Sequence, residues 1–409
     1  MQTRRDHTLD TFKGILTFFM VYCHVLQFFG DSLISPGNEF WMQAANLLVF
    51  PGFLFVFGQN VQRSYYAKPI RQSAPRMLEN ALRLYIVFVI SGLGFRVLRE
   101  NKPFGSGTVM RILTLSDIPG WSEFIIAFSL FLLAALLLFY PMSKWKGPVF
   151  PAVLGTLSLL TALIPYSASI DPRLQLLIGG RGFASFPLMQ YLGFFCMGIA
   201  LTRAREQKKP LWPLLLMAAA NSCLGGWRAL SLGQMPERFP PDIGWVLLPF
   251  FPLALLYLLS AGLEKARLPL PRRLRGREGL ALPLSPLRSL GRNSMLHLLL
   301  SNLLIFTMAG RGILPQLKMR SPWLFGQPIQ TAAGAFWWTL ALLCVLTTVI
   351  YPVAYDALLV ITGATPAALV VLAARNIGLV VLTVASGVAA WVVTGGNQRK
   401  RPWQLGIRA

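Results

Sequence analysis

The sequence predicts an all-α fold: a polytopic integral membrane helix bundle of about 10–12 transmembrane helices with both termini cytoplasmic. Three observations carry that expectation. Of the 409 residues, 55% are hydrophobic and only 13% are charged, whereas a soluble domain carries roughly 45–50% apolar and about 25% charged residues. Apolar runs that approach or reach the roughly 20 residues of a spanning helix recur along the whole chain. The charges lie almost wholly between those runs. Such a composition excludes a soluble cytosolic enzyme, a disordered scaffold and a small disulfide-stapled secreted domain.

The first run, 12–29, follows a charged segment and has no small-residue cleavage pattern at its end, so it is expected to remain as an anchor rather than be removed as a signal peptide. The second, 41–60, contains Pro51-Gly52, read as a break, and irregular backbone in a membrane is tolerated only where it lines a protein cavity. The third, 84–98, follows Arg63, Lys68, Arg71, Arg76 and Arg83. The fourth and fifth, 121–140 and 148–166, flank Lys144 and Lys146. The sixth and seventh, 187–202 and 211–224, flank Arg203, Arg205, Lys208 and Lys209. The eighth, 243–262, and the ninth, 290–308, are joined by the densest basic loop, 264–292, rich in Pro and Arg. That loop reads as a cytoplasmic orientation determinant, with contact to anionic lipid as an added reading. The tenth run is 332–352. The stretch 354–394, broken by Asp356, Gly363, Pro366, Arg375 and Asn376, reads as two helices with a turn at Arg375-Asn376, which gives twelve spans. One long tilted helix there, giving eleven, is the rival reading.

Loop charge favours twelve. With the N-terminus in the cytoplasm and the spans alternating, the inside segments hold 26 of the 38 Lys and Arg residues, as the positive-inside rule requires. An odd count would carry Arg399, Lys400, Arg401 and Arg408 outside. The expected organisation is a membrane domain of about ten helices over 1–353, a C-terminal helix pair over 354–396 and a basic cytoplasmic tail over 397–409. The net charge of +23 follows from loop orientation, and no nucleic-acid partner is expected. Cys23, Cys196, Cys223 and Cys344 all lie inside apolar stretches without metal-site spacing, so they read as buried inert thiols and no metal is expected.

Ionisable residues inside a spanning helix are costly and mark functional sites. The first span holds Asp10, Lys13 and His24. Lys13 and His24 are eleven residues apart, three turns plus about 20°, so they share one face at an axial separation of about 16.5 Å. Asp10 stands three residues before Lys13, within pairing reach. A cation at the cytoplasmic mouth with an imidazole deeper on the same face suits a long anionic cytosolic molecule. Lys13 would hold its phosphates and His24 would act at its reactive end as general base or nucleophile. The competing reading is that Lys13 snorkels to the interface while His24 only hydrogen-bonds between helices.

Leu9-Asp10-Thr11-Phe12-Lys13-Gly14 followed by His24 resembles the first helix of the membrane-bound acyltransferase 3 family, whose hallmark is a basic residue, ten intervening residues, then His. Phe50-Pro51-Gly52-Phe53-Leu54 is similar to the family's second-helix segment. Leu290-Gly291-Arg292-Asn293-Ser294-Met295 resembles the opening of a late helix, and Phe186-Pro187 through Gly198 its central helices. The resemblance covers roughly 9–350. Two departures stand out: the family's Arg-x-x-Arg before the third helix is here Asn80-x-x-Arg83, with Arg76 two turns earlier, and a late His is here Ser301, with His297 one turn before it.

The resemblance implies an integral-membrane O-acyltransferase that moves an acyl group, usually acetyl, onto a hydroxyl of a cell-surface or lipid-linked glycan. It implies acyl-CoA (acetyl-CoA for acetyl transfer) as co-substrate, with no permanently bound cofactor. Lys13 with Arg83 and Arg76 would contact the donor's phosphates, His24 would activate the acceptor hydroxyl or carry the acyl group, and Asp10 would orient Lys13. Asn293 and Ser294 would line the cavity or cap the ninth span.

Glu123 and Asp242 fall at outer helix ends. They are either acceptors of sugar hydroxyls or solvated boundary charges. Trp121, Trp227 and Trp245 suit an aromatic belt or stacking on a sugar face. His7, near the exposed N-terminus, reads as inert, and Asp356 as an interface residue. The expected location is the cell (inner or plasma) membrane, with carbohydrate or lipid-linked sugar and membrane lipids as partners. A secondary transporter or flippase of a sugar is the alternative, since twelve spans with both ends inside is also a transporter plan. Against it, the chain has no two-half repeat.

Overall fold

The computed structural model describes residues 6–29, 36–164, 166, 171–181, 186–265, 285–310 and 332–346. Residues 354–409, which hold the expected C-terminal helix pair and tail, lie outside the described residues, as do most of the basic loop and the end of the tenth run. Among the described residues there is no β-strand, and the chain is an all-α polytopic membrane bundle.

The helices are α1 (His7–Phe29), α2 (Pro36–Val61), α3 (Ile70–Gly94), α4 (Ser106–Leu113), α5 (Glu123–Leu137), α6 (Phe139–Lys144), α7 (Val149–Leu159) and α8 (Pro172–Ile178). They continue with α9 (Leu188–Glu206), α10 (Trp212–Leu232), α11 (Ile243–Leu247), α12 (Phe250–Lys265), α13 (Ser285–Arg292), α14 (Ser294–Gly310) and α15 (Ala332–Val345). Among the described residues, four segments are long and apolar enough to cross a membrane: His7–Phe29, Pro36–Tyr66, Ile70–Arg99 and Ile243–Lys265. Shorter apolar helices coincide with the fourth, fifth, ninth and tenth runs.

Two sequence expectations are corrected. The structure keeps α2 helical through Pro51 and displaces the irregularity to a π-helical turn at Gln62–Tyr66. Proline removes a single N–H, a loss that packed membrane helices absorb. Cys23 and Cys196 are buried as expected, but Cys223 is exposed, because it lies on a face of α10 that carries exposed Leu216, Leu224 and Trp227.

The chain forms two compact units. One comprises Met1–Asn46, Ile90–Thr108 and Ser260–Ala409, the other Leu47–Val89 and Val109–Leu259. In the first unit α1 crosses α13 at backbone contact. A methyl group on Gly14 would overlap the Leu287 carbonyl, and one on Gly291 would overlap the Asp10 carbonyl. Only glycine permits this approach, as at small-residue crossings in membranes generally. Further along, Phe28 packs on Phe306 of α14 at 5.9 Å between ring centroids, so α1 and α14 run parallel. Gly94 against Leu303 and Phe95 against Phe306 make the end of α3 parallel to α14 as well. On another side of α1, Phe18 packs on Phe336 of α15, and Tyr22 and Leu26 bury Ala335.

In the second unit α9 is apolar on nearly all sides and correspondingly buried, as a helix apolar all round must be, with Tyr191, Phe194, Phe195, Cys196 and Ile199 fully enclosed. It meets α2 through a second pair of glycines, Gly58 on the Phe195 carbonyl and Gly198 on the Phe55 carbonyl. It meets α7 where Gly155 faces Gly193. Near its C-terminal end Arg203, read from sequence as a loop charge, is buried. It donates to Gln62 (2.8 Å), to the carbonyls of Trp145 (2.6 Å) and Met142 (2.7 Å) and, more weakly, to Gly147 (3.3 Å). Those carbonyls stand at the end of α6 and just beyond it, where the helix leaves acceptors unsatisfied. Arg203 is therefore a staple rather than a loop charge.

Candidate functional site

The site in the first unit is built on α1. The Gly14–Gly291 crossing brings the start of α1 against the end of α13, and with it three charges. Asp10, nearly fully buried, pairs with Lys13 of its own helix at 3.4 Å and with Arg292 of α13, Nε to Oδ2, at 3.7 Å. Next to them Glu264, at the end of α12, accepts from Thr11 at 2.5 Å. It also forms a two-pronged ion pair with Arg288, one arm of which measures 2.8 Å. Arg288 and Arg292 are four residues apart and so share a face of α13. One carboxylate thus serves two cations, and a second carboxylate holds a third.

Deeper along α1 lies His24, also buried. The parallel register that sets Gly14 beside Gly291 and Phe28 beside Phe306 puts His24 level with Ser301 and Asn302 of α14, both fully buried. By the contact of Phe95 with Phe306, Ser91 of α3, also fully buried, stands in the same layer. His297 is buried on α14 about midway between the charge cluster and this layer. An imidazole, two hydroxyls and an amide at one depth in an apolar bundle form a polar layer whose burial is costly unless its groups are hydrogen-bonded. Ser301 meets part of that need locally, donating to the Leu298 carbonyl at 2.9 Å.

The remaining sequence candidates fall as follows. Asn293 is the residue between α13 and α14, and its carbonyl accepts from the His297 N–H at 3.0 Å. It and Ser294 therefore stand at the opening of the helix. Arg76 and Arg83 belong to the second unit, on α3, where Arg76 is exposed and Arg83 pairs with Glu79 one turn away. Asp242 caps α11 through the Gly244 N–H at 2.7 Å and pairs with Arg228 at 3.0 Å.

Glu123 is buried at the first turn of α5, two residues after Trp121, which holds a left-handed backbone conformation (φ 70°). Arg238 lies within electrostatic range of Glu123 in the second unit, and the Arg238 guanidinium lies over the rings of Phe239 (4.5 Å) and Phe186 (5.4 Å). Phe186 in turn stacks on Phe50 at 3.9 Å, and Tyr191 stands edge-on to both. A guanidinium thus lies on an aromatic wall, with a buried carboxylate in the same unit. Sequence reading found Glu123 and Trp121 but not Arg238, for which no local motif exists.

Arg292, Arg288 and Glu264 were counted from sequence only as a motif position and as charges at the edges of a basic loop. The available signal was the four-residue spacing of the two arginines. Among the described residues no group of His, Cys, Asp and Glu is arranged to hold a metal ion. A family model described as an acyltransferase domain matches residues 6–356 of the chain. No curated protein and no solved structure matches it.

Proposed function

Because the chain belongs to the acyltransferase 3 family and is a membrane acyltransferase, we propose that it moves an acyl group, usually acetyl, from cytosolic acyl-CoA to a hydroxyl of a cell-surface or lipid-linked glycan at the plasma membrane. The observation that carries this reading is the arrangement of α1: a pair of cations held by Asp10 at one end and a buried imidazole about 16.5 Å further along the same face. Phosphates of the donor bind Lys13 and Arg292, and the uncharged pantetheine arm runs along α1 toward His24. Arg83 and Arg76 enter the proposal as further phosphate contacts from sequence alone. Asp10 holds Lys13 and Arg292 on one carboxylate.

In the transfer step His24 accepts the proton of the acceptor hydroxyl. The oxygen attacks the thioester carbonyl, the carbon–sulfur bond breaks, and the imidazolium returns the proton to the departing CoA thiolate. Ser91 and Asn302 supply a hydroxyl and an amide donor in the layer where negative charge develops on the carbonyl oxygen. For the acceptor, a carboxylate and a guanidinium above an aromatic wall match the hydroxyls and the apolar face of a sugar ring, which supports Glu123, Arg238 and Trp121 as sugar contacts. The test is ester-linked acyl groups on surface glycans, measured with and without the protein, together with transfer from labelled acetyl-CoA by the purified chain in vesicles. Label on glycan that disappears in His24→Ala supports the reading. Sugar counterflow with no ester formed would replace it with a carrier.

A further inference from the structure

The second unit contains a cleft that the transfer reaction does not use. It lies among α2, α9, α10 and α12, spans about 590 Å³ of space that is partly open to the surroundings, and is lined by Phe55, Phe194, Leu201, Leu214, Phe250 and Tyr257 among other carbon-rich side chains. Its floor is the stacked pair Phe194–Phe250, 4.1 Å between ring centroids. From Phe194 to Leu201 the cleft follows α9 for about 10 Å. It has no polar group at its deep end that could satisfy a sugar or a nucleotide.

One end is different. Tyr257 accepts a hydrogen bond from Arg205, and the chain from Leu201 to Leu211, both lining the cleft, carries Arg205, Lys208 and Lys209, all exposed. These cations are held in place. The Lys209 N–H bonds the Ala204 carbonyl at 2.8 Å and the Lys208 N–H the Arg205 carbonyl at 3.2 Å, the pattern of a Schellman helix end. The residue at its left-handed position is Lys208, φ 52°, where glycine is normally found. A side chain at a strained backbone position is a pointer to function, and here that side chain is a cation at the mouth of an apolar slot.

We infer that this cleft is a binding site for an anionic phospholipid of the cytoplasmic leaflet, one acyl chain lying on Phe194 and Phe250 and the phosphate held by Arg205, Lys208 and Lys209. The positive-inside rule puts those cations on the cytoplasmic side, where anionic headgroups are worth about a fivefold gain in affinity per nearby basic residue.

The experiment extracts the full chain from mixed phosphatidylcholine and phosphatidylglycerol vesicles and identifies the retained lipid by native mass spectrometry, a readout independent of acyl transfer. Phosphatidylglycerol is retained in preference. Arg205→Gln, Lys208→Gln and Lys209→Gln each cut that preference about fivefold, and the triple variant retains phosphatidylcholine without preference. Lys208→Gly makes the helix end easier to form and raises the melting temperature while still lowering the preference, a divergence that a purely structural lysine would not give. Ala254→Phe, which fills the cleft, loses lipid of both kinds. Unchanged preference in the triple variant would overturn the proposal. So would retention by Ala254→Phe as strong as wild type. An arm that needs no variant adds soluble glycerol phosphate: displacement of phosphatidylglycerol as effective as by the intact lipid would mean that the chain slot is unused and the proposal wrong.

Discussion

Gly291 of α13 lies against the backbone carbonyl of Asp10 on α1, closer than any residue with a side chain could come. The same crossing delivers Arg292 to Asp10, so helix packing and charge placement are one event. Replacing Gly291 by Ala overlaps backbone rather than a flexible side-chain end, and the helices must part. Overpacking of this kind costs about 1–3 kcal/mol. Gly291→Ala is expected to lower the melting temperature of the detergent-purified chain and to raise the donor KM in whatever fraction folds. A variant with unchanged melting and KM would show that the crossing is dispensable.

His24→Ala is expected to leave insertion and abundance near wild type while acyl transfer falls by about a hundredfold or more, the contribution of a positioned general base. Activity retained within about tenfold would remove His24 from the role of base.

Lys13→Ala and Arg292→Gln are expected to raise KM for acyl-CoA with little change in kcat, because a phosphate contact made equally in ground and transition states acts on binding. Lys13→Arg should be milder, since it keeps the charge. Steady-state kinetics in vesicles decide: a fall in kcat at constant KM would place both cations outside donor binding.

Glu264 and Arg288 have side chains only 9% and 11% exposed. Removing one partner of such a pair leaves a buried charge and costs about 3–5 kcal/mol. Arg288→Met is therefore expected to melt far below wild type, and Glu264→Leu combined with Arg288→Met to recover most of the loss. Losses in the two single variants that simply add in the double variant would mean that the pair carries no coupling.

Helix direction makes a topological prediction. Within the first unit α1, the end of α3 and α14 are parallel, as expected of spans one, three and nine under alternation. Within the second, α9 runs parallel to α2, by Phe57 with Phe195 and Gln62 with Arg203, as spans two and six would. A reporter fused near Arg311 should read as outside and one after Ala409 as inside. A C-terminal reporter outside would reduce 354–394 to a single span and the count to eleven.

The sequence carried the periodicity of the first span, so the shared face of Lys13 and His24 was legible, as was the apolar character of each later run. Its loop charges were read by count alone. Arg203 and Arg288 illustrate the limit. Both look like solvated cytoplasmic charge, and both are buried, because carbonyls at the end of α6 and the carboxylate of Glu264 reach them from segments distant in the chain. Nothing local distinguishes such an arginine from an orientation signal. The polar layer of His24, Ser91, Ser301 and Asn302 was hidden for the same reason: each residue is ordinary on its own helix, and only the register between parallel helices puts them at one depth.

That parallel register also aligns dipoles. α1 begins at the Lys13 end, and its N-terminus carries roughly half a positive charge from the N–H groups of its first turn. The mouth of the proposed donor path is therefore electropositive through its backbone as well as its side chains. A variant lacking both Lys13 and Arg292 should still attract an anion weakly, with an affinity that fades as salt is added.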